Sequence, residues 1–176
     1  MNIILIGCRG AGKTAVGKRL AARLQRRFVD TDHLLEERQG IRISDLVESH
    51  GWNHFRAMEK RIIEEISKQD QLVIAPGGGA VLETENVMAL KKNGLIVWLK
   101  AKGQVLLNRM KRDPRTLSQR PTLTGKGTLE EIEEVMAFRR PFYEWAADLQ
   151  IDTSTLDVER VVGTLVSILQ ERIERA

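Results

Sequence analysis

The feature that most restricts this chain lies near its start. An unbroken apolar run, Ile3-Ile4-Leu5-Ile6, stops at Gly7 and opens the segment Gly7-Cys8-Arg9-Gly10-Ala11-Gly12-Lys13-Thr14. That segment matches G-x-x-x-x-G-K-[ST], a phosphate-binding loop, in the context the motif needs: a buried strand before it and a helical pattern after it. Glycines let the backbone turn tightly, so that consecutive N–H groups point inward at phosphate oxygens. The N-terminus of the following helix adds partial positive charge at the same spot. Lys13 brings a full charge to the β and γ phosphates, and the Thr14 hydroxyl can ligate Mg²⁺. A dinucleotide-binding G-x-G-x-x-G does not fit, because Ala15 occupies the third glycine position after Gly10 and Gly12.

The rest of the chain repeats the alternation of short apolar runs and helical periodicity. After the strand at 2–6, a helix is expected from Lys13 to about Arg26, with Val16, Leu20, Ala21 and Leu24 on its inner face. Phe28-Val29-Asp30, Leu72 to Ala75, Leu95 to Leu99 and Leu149 to Ile151 read as further strands. Helices are expected over Asp32–Gln39, closed by Gly40, from near Trp52 to Lys68, over Val105–Met110, from Leu129 to Trp145, and from Asp157 to Glu174. Alternation with buried strands predicts an α/β fold with a parallel sheet and right-handed crossovers. Ligands in such sheets bind at the carboxyl ends of the strands, and most of the unusual residues here follow strand ends.

Composition narrows the classes. With 176 residues, 42% apolar and 30% charged, the chain suits one domain with a single core. The net charge of +4 is mild and forms no basic tail, so anionic small molecules suit it as well as nucleic acid. Aromatics at 5% leave little for a base-stacking platform. The lone Cys8 excludes a disulfide framework and a Cys-rich zinc site. No apolar stretch reaches the length of a signal peptide core or a membrane span, which points to the cytoplasm.

Several other patterns have two readings each. Asp30 and Asp32 close the second strand, and in extended backbone their carboxylates share a side; one can hold Mg²⁺ through water and the other accept a proton from a hydroxyl. Alternatively, Asp32 merely caps the helix beginning at His33. Arg56 and Glu59, one helical turn apart, read in isolation as a solvated surface pair. Gly77-Gly78-Gly79 after a buried strand is either a flexible turn or a place where backbone N–H groups approach a ligand. The basic, aperiodic stretch 111–128, with Arg112, Arg115 and Arg120-Pro121, is either a solvated charge run or a lid that brings an arginine over a nucleotide. Pro141 sits in a helical pattern just after Arg139-Arg140 and is expected to kink it.

Taken together, Gly7 to Thr14, Asp30-x-Asp32, Phe55-Arg56-x-x-Glu59, Gly77-Gly78-Gly79, Arg120-Pro121-x-Leu123 and Arg139-x-Pro141-x-Tyr143 resemble the shikimate kinase family along nearly the whole chain. The first motif is common to many nucleotide-binding proteins; the other five, in this order and spacing, are specific. The resemblance implies a three-layer P-loop kinase fold: one kinase domain over 1–176, a five-stranded parallel sheet flanked by helices, a substrate-binding helical region at about 32–62 and a mobile lid at about 111–128. It implies phosphoryl transfer from ATP to the 3-hydroxyl of shikimate, a step of aromatic amino acid biosynthesis, by a cytoplasmic monomer with neither nucleic acid nor membrane as partner. Gly10, Ala11, Gly12, Lys13, Thr14 and Ala15 hold ATP, helped by Arg120 of the lid and by Arg109, which matches an adenine-stacking arginine. Thr14 and Asp30 serve Mg²⁺. Asp32 binds the substrate hydroxyls and is the candidate base, with Lys13 and Arg120 the other catalytic groups. Arg56 and Arg139 grip the carboxylate, Glu59 orients Arg56 and lies close to the substrate, and Gly77, Gly78 and Gly79 give backbone contacts. The competing readings are another small-molecule kinase of the gluconate or nucleoside monophosphate type, a non-catalytic nucleotide-binding regulator, and a nucleic-acid-binding module.

Overall fold

In the computed structural model, which describes residues 1–113 and 129–174, five strands form one all-parallel sheet. They are β1 (Asn2–Ile6), β2 (Arg27–Asp30), β3 (Leu72–Ala75), β4 (Gly94–Lys100) and β5 (Leu149–Asp152), in the order β2-β3-β1-β4-β5. Central β1 pairs Ile3 and Ile4 with Val73 and Ile74 on one side, and Asn2 to Ile6 with Gly94 to Trp98 on the other.

Alternate residues of each strand face opposite layers. Ile4, Ile6, Ile74, Ile96 and Trp98 pack into one core with residues of α2 (Thr31–Gln39), α3 (Ile43–Ser67), α4 (Thr84–Lys91) and α6 (Leu129–Ala146). Ile3, Leu5, Val73, Leu95, Val97 and Leu99 pack into the other, against α1 (Lys13–Arg23), α5 (Gly103–Arg112) and α7 (Val158–Glu174). All five residues of β1 are buried, which is why the first apolar run carries no polar alternation. Burying each such Ile or Leu side chain contributes roughly 1.5–3 kcal/mol.

The expected strands are all present, and the helices differ in instructive ways. The one expected from Trp52 begins nine residues earlier, at Ile43, and bends at Gly51, whose φ of 80° and ψ of 168° are not helical. Only glycine adopts that backbone at low cost, so two helical periods meet there out of phase and the first half lost its signal. Helix α4 and a 3₁₀ turn at Ala80–Leu82 were not expected; at eight residues, α4 is too short for a clear period. Pro141 lies inside α6, which is helical from Leu129 to Ala146. Helix α5 runs to Arg112, so the first two residues of the proposed lid are helical. Residues 114–128, with Arg115 and Arg120, lie outside the described residues.

Candidate active site

At the carboxyl end of β1, Gly7, Gly10 and Gly12 all have positive φ, at 146°, 80° and 95°. A Cβ at Gly7 would stand 2.5 Å from the Leu99 carbonyl oxygen, and one at Gly10 would stand 2.9 Å from that of Leu106. The loop is therefore pressed between β4 and α5, and only glycine fits both the angle and the space. Lys13, the first residue of α1, folds its side chain back over the loop, and its Nζ donates to the carbonyls of Gly7 at 2.7 Å and Cys8 at 3.2 Å. Ala11 is buried, while Thr14 is partly exposed and Ala15 exposed on the first turn of α1.

The two aspartates after β2 do different things. Asp30 accepts a hydrogen bond from Thr14 Oγ1 at 2.9 Å and caps α2 by accepting from the His33 backbone N–H at 3.3 Å. The alternative reading of Asp32 as the cap is therefore corrected by two residues: Asp30 is the cap, the helix starts at Thr31, and Asp32 lies within it, buried. Its Oδ1 lies 2.7 Å from where a Cβ on Gly77 would stand. The strand ends at Asp30 and the helix starts at Thr31, so the two carboxylates do not share a side as they would in extended backbone. One serves the phosphate loop and the other faces the glycine run.

That glycine run organises a second, strongly charged pocket. At Gly77, a Cβ would meet Glu59 Oε1 at 2.6 Å and Asp32 Oδ1 at 2.7 Å; at Gly78 it would meet Arg139 Nη1 at 3.5 Å; at Gly79 it would overlap the Arg56 guanidinium, with Cζ at 3.0 Å. Each glycine thus leaves room for a different charged group. The run is held from both sides: Gly77 N–H donates to Thr31 Oγ1 at 3.1 Å, and the Tyr143 hydroxyl donates to the Gly78 carbonyl at 2.6 Å. Thr31, wedged between the two aspartates, and Tyr143 were not read as site residues. Tyr143 is buried against Trp98, with ring centroids 5.4 Å apart. Burial pushes its hydroxyl pKa well above the usual value, so it remains a donor.

The Arg56–Glu59 pair is not a solvated surface pair. Arg56 Nη1 donates to Glu59 Oε2 at 2.5 Å, with side-chain exposures of 21% and 1%. Arg56 also lies over the Phe55 and Trp52 rings, 5.1 and 5.6 Å from their centroids. Burial is the main cause that raises the Glu59 pKa to about 7; Arg56 and Arg139 oppose it and Asp32 adds to it. Arg139, on α6, is buried. The surface reading failed because helical spacing reports only that two residues share a face, not which face is covered.

Arg109 sits beside the phosphate loop. It donates to the Gly10 carbonyl at 3.4 Å and to Thr153 Oγ1 and O at 3.0 and 2.6 Å. Thr153, almost fully buried after β5, also bonds the Lys100 carbonyl at 3.0 Å; nothing in its spacing signalled that role. Among the described residues no group of three or more His, Cys, Asp or Glu side chains could enclose a metal ion. The pair Thr14 and Asp30 still fits a Mg²⁺ that keeps waters and takes other ligands from substrate phosphates. Nor is any described helix long and apolar enough to cross a membrane.

A phosphate loop at one strand end, flanked by a pocket of two guanidinium and two carboxyl groups, defines a P-loop phosphotransferase acting on a small anionic acceptor. A family model described as "Shikimate kinase" matches residues 9–170. The chain belongs to the shikimate kinase family. A shikimate kinase of Symbiobacterium thermophilum is 43% identical over 175 residues, covering 99% of each chain. One of Syntrophus aciditrophicus is 40% identical and covers 97% of this chain and 92% of its own. The solved shikimate kinase from Acinetobacter baumannii in complex with shikimate superposes with a TM-score of 0.89 at 32% identity, covering 97% of this chain and 93% of that one.

Proposed function

We propose that this kinase transfers the γ-phosphoryl group of ATP to the 3-hydroxyl of shikimate, yielding shikimate 3-phosphate and ADP. The observation that carries this reading is the glycine run, whose three positions bring Asp32, Glu59, Arg139 and Arg56 together beside the phosphate loop. A small polyol carboxylate needs both kinds of group: guanidiniums for its carboxylate, bound through charge-assisted bonds, and carboxylates for its hydroxyls.

Gly10 to Ala15 hold the triphosphate through backbone N–H groups and the start of α1. Lys13 leaves its loop carbonyls to bear on the transferring group, where charge develops in the transition state. Thr14 and Asp30 hold Mg²⁺, which neutralises phosphate charge when bound. Arg56 and Arg139 fix the acceptor carboxylate and so set the ring's orientation. Asp32 accepts the proton as the 3-hydroxyl oxygen bonds to the γ phosphorus and the bond to the bridging oxygen of ADP breaks. Arg109 stacks on adenine with its guanidinium anchored by Thr153. Arg120, to which the family pattern gives a role at the nucleotide, lies outside the described residues. The same reading has the enzyme act as a monomer in the cytoplasm, a reducing compartment that suits its single cysteine.

The position of the new phosphate tests this reading. Incubation with Mg-ATP and shikimate, followed by ³¹P and ¹H NMR, is expected to show phosphate on the 3-oxygen only. Phosphate on the 4- or 5-oxygen would contradict the orientation assigned to Arg56 and Arg139.

A further inference from the structure

The acceptor pocket holds one polar atom that its own residues leave unused. Glu59 Oε2 is bound by Arg56, but Oε1 is buried and has no hydrogen-bond partner among the described residues. It points at the space over Gly77 that Asp32 Oδ1 also borders. An unpartnered buried carboxylate oxygen beside a second carboxylate is costly, and a proton on it relieves both the desolvation and the repulsion.

The charged groups facing Glu59 come from three elements: Asp32 on α2, Arg56 on its own helix α3, and Arg139 on α6. With both carboxyls ionised, two guanidiniums and two carboxylates sum to zero. With one carboxyl neutral, the pocket carries a single positive charge, which matches an acceptor with a single carboxylate.

We propose that Glu59 takes up a proton from solvent as the acceptor anion binds, so that Glu59 is a charge-matching residue selecting a mono-anionic polyol. The incoming carboxylate shares Arg56 and Arg139, the two cations that otherwise keep Glu59 ionised. Weakening their hold favours the neutral acid. Its Oε1–H then has acceptors within the pocket, Asp32 Oδ1 or a ring hydroxyl of the bound polyol. The raised proton affinity of Glu59 already in the empty pocket agrees with this geometry. A charged Glu59 retained in the complex would instead set two carboxylates and the substrate's third against two arginines.

The proposal rests on shikimate being the acceptor, and calorimetry separates the two claims. Shikimate is titrated into the intact protein at pH 8 in buffers of different ionisation enthalpy, which counts the protons exchanged. The expected result is net uptake of about half a proton or more, with Kd weakening by up to about tenfold per pH unit above that pH. Glu59→Gln, neutral at every pH, is expected to bind with no proton exchange. Binding of shikimate to the wild-type protein with no uptake, or with release, overturns the proposal and leaves the acceptor reading standing. Uptake that persists in a folded Glu59→Gln variant places the proton elsewhere and also overturns it. Absence of any binding or turnover with shikimate overturns both claims. The proton count on the wild-type protein decides the matter even where the variant fails to fold.

Discussion

The Arg56 guanidinium lies against Gly79 so closely that a methyl group there would stand 3.0 Å from Cζ and 3.1 Å from Nη1. The position has no unusual φ, so the need for glycine is one of space rather than backbone strain. Gly79→Ala is therefore expected to fold and to displace Arg56 from the acceptor carboxylate. Loss of one charge-assisted contact corresponds to roughly a 10–100-fold rise in KM for shikimate. Steady-state kinetics with each substrate varied in turn should show KM for ATP nearly unchanged; a matching rise for ATP would contradict the separation of the two subsites.

Tyr143 and Gly78 offer a second test of the glycine run. Tyr143→Phe removes only the hydroxyl that donates at 2.6 Å to the Gly78 carbonyl. The expected cost is about 1 kcal/mol of stability, which for a chain of this size lowers Tm by roughly 2–4 °C. Because Gly78 also faces Arg139, kcat/KM for shikimate should fall as well. A variant with lowered Tm and wild-type kcat/KM would leave Tyr143 as packing alone.

Lys13 spans the phosphate loop and is the cation assigned to the transferring phosphoryl group. Lys13→Met is expected to retain the fold, since the loop geometry depends on its glycines. Its kcat should fall by on the order of 10²–10³ or more, the scale for losing one preorganised transition-state contact. Near-normal kcat with a native circular dichroism spectrum would remove Lys13 from the chemistry.

Glu59 also makes a prediction about stability without any ligand. Its proton is held up to a pH of about 7 in the folded state, against 4.5 for an ordinary glutamate. Between those values the folded chain binds a proton that the unfolded chain has released, so this contribution is complete below about pH 4.5 and is lost as pH rises through about 7. Urea unfolding at pH 5, 6, 7 and 8 should therefore show wild-type stability declining relative to Glu59→Gln over that window. Parallel curves would mean that Glu59 titrates normally.

Much of this architecture was legible because its signals are local. The run from Ile3 to Thr14 carries a buried strand, a loop that only glycines allow, and a helix start within twelve residues; β3 and β4 are equally continuous, while the edge strands β2 and β5 show shorter apolar runs. The helix beginning at Ile43 was partly missed for a physical reason: Gly51 breaks the period, so a pattern search finds only the half after it. The roles of Arg56 and Glu59 depend on a covering that comes from residues 18 to 83 positions away, at Gly77, Gly79 and Arg139. Spacing along one helix carries no information about that, and the residues became readable as a site only through the family pattern. Thr31 and Thr153 carried no legible role, since a buried threonine that accepts a backbone N–H or anchors an arginine has no spacing of its own.

The most direct test of the central claim is ADP release from Mg-ATP, measured with shikimate, gluconate, AMP and no acceptor, in the wild-type protein and in Arg139→Ala. The account predicts rapid release with shikimate alone, and in the variant a raised KM for shikimate with little change for ATP. Release that ignores the acceptor, or that prefers gluconate or AMP, would leave the phosphate loop in place and contradict the carboxylate pocket built by Arg56 and Arg139.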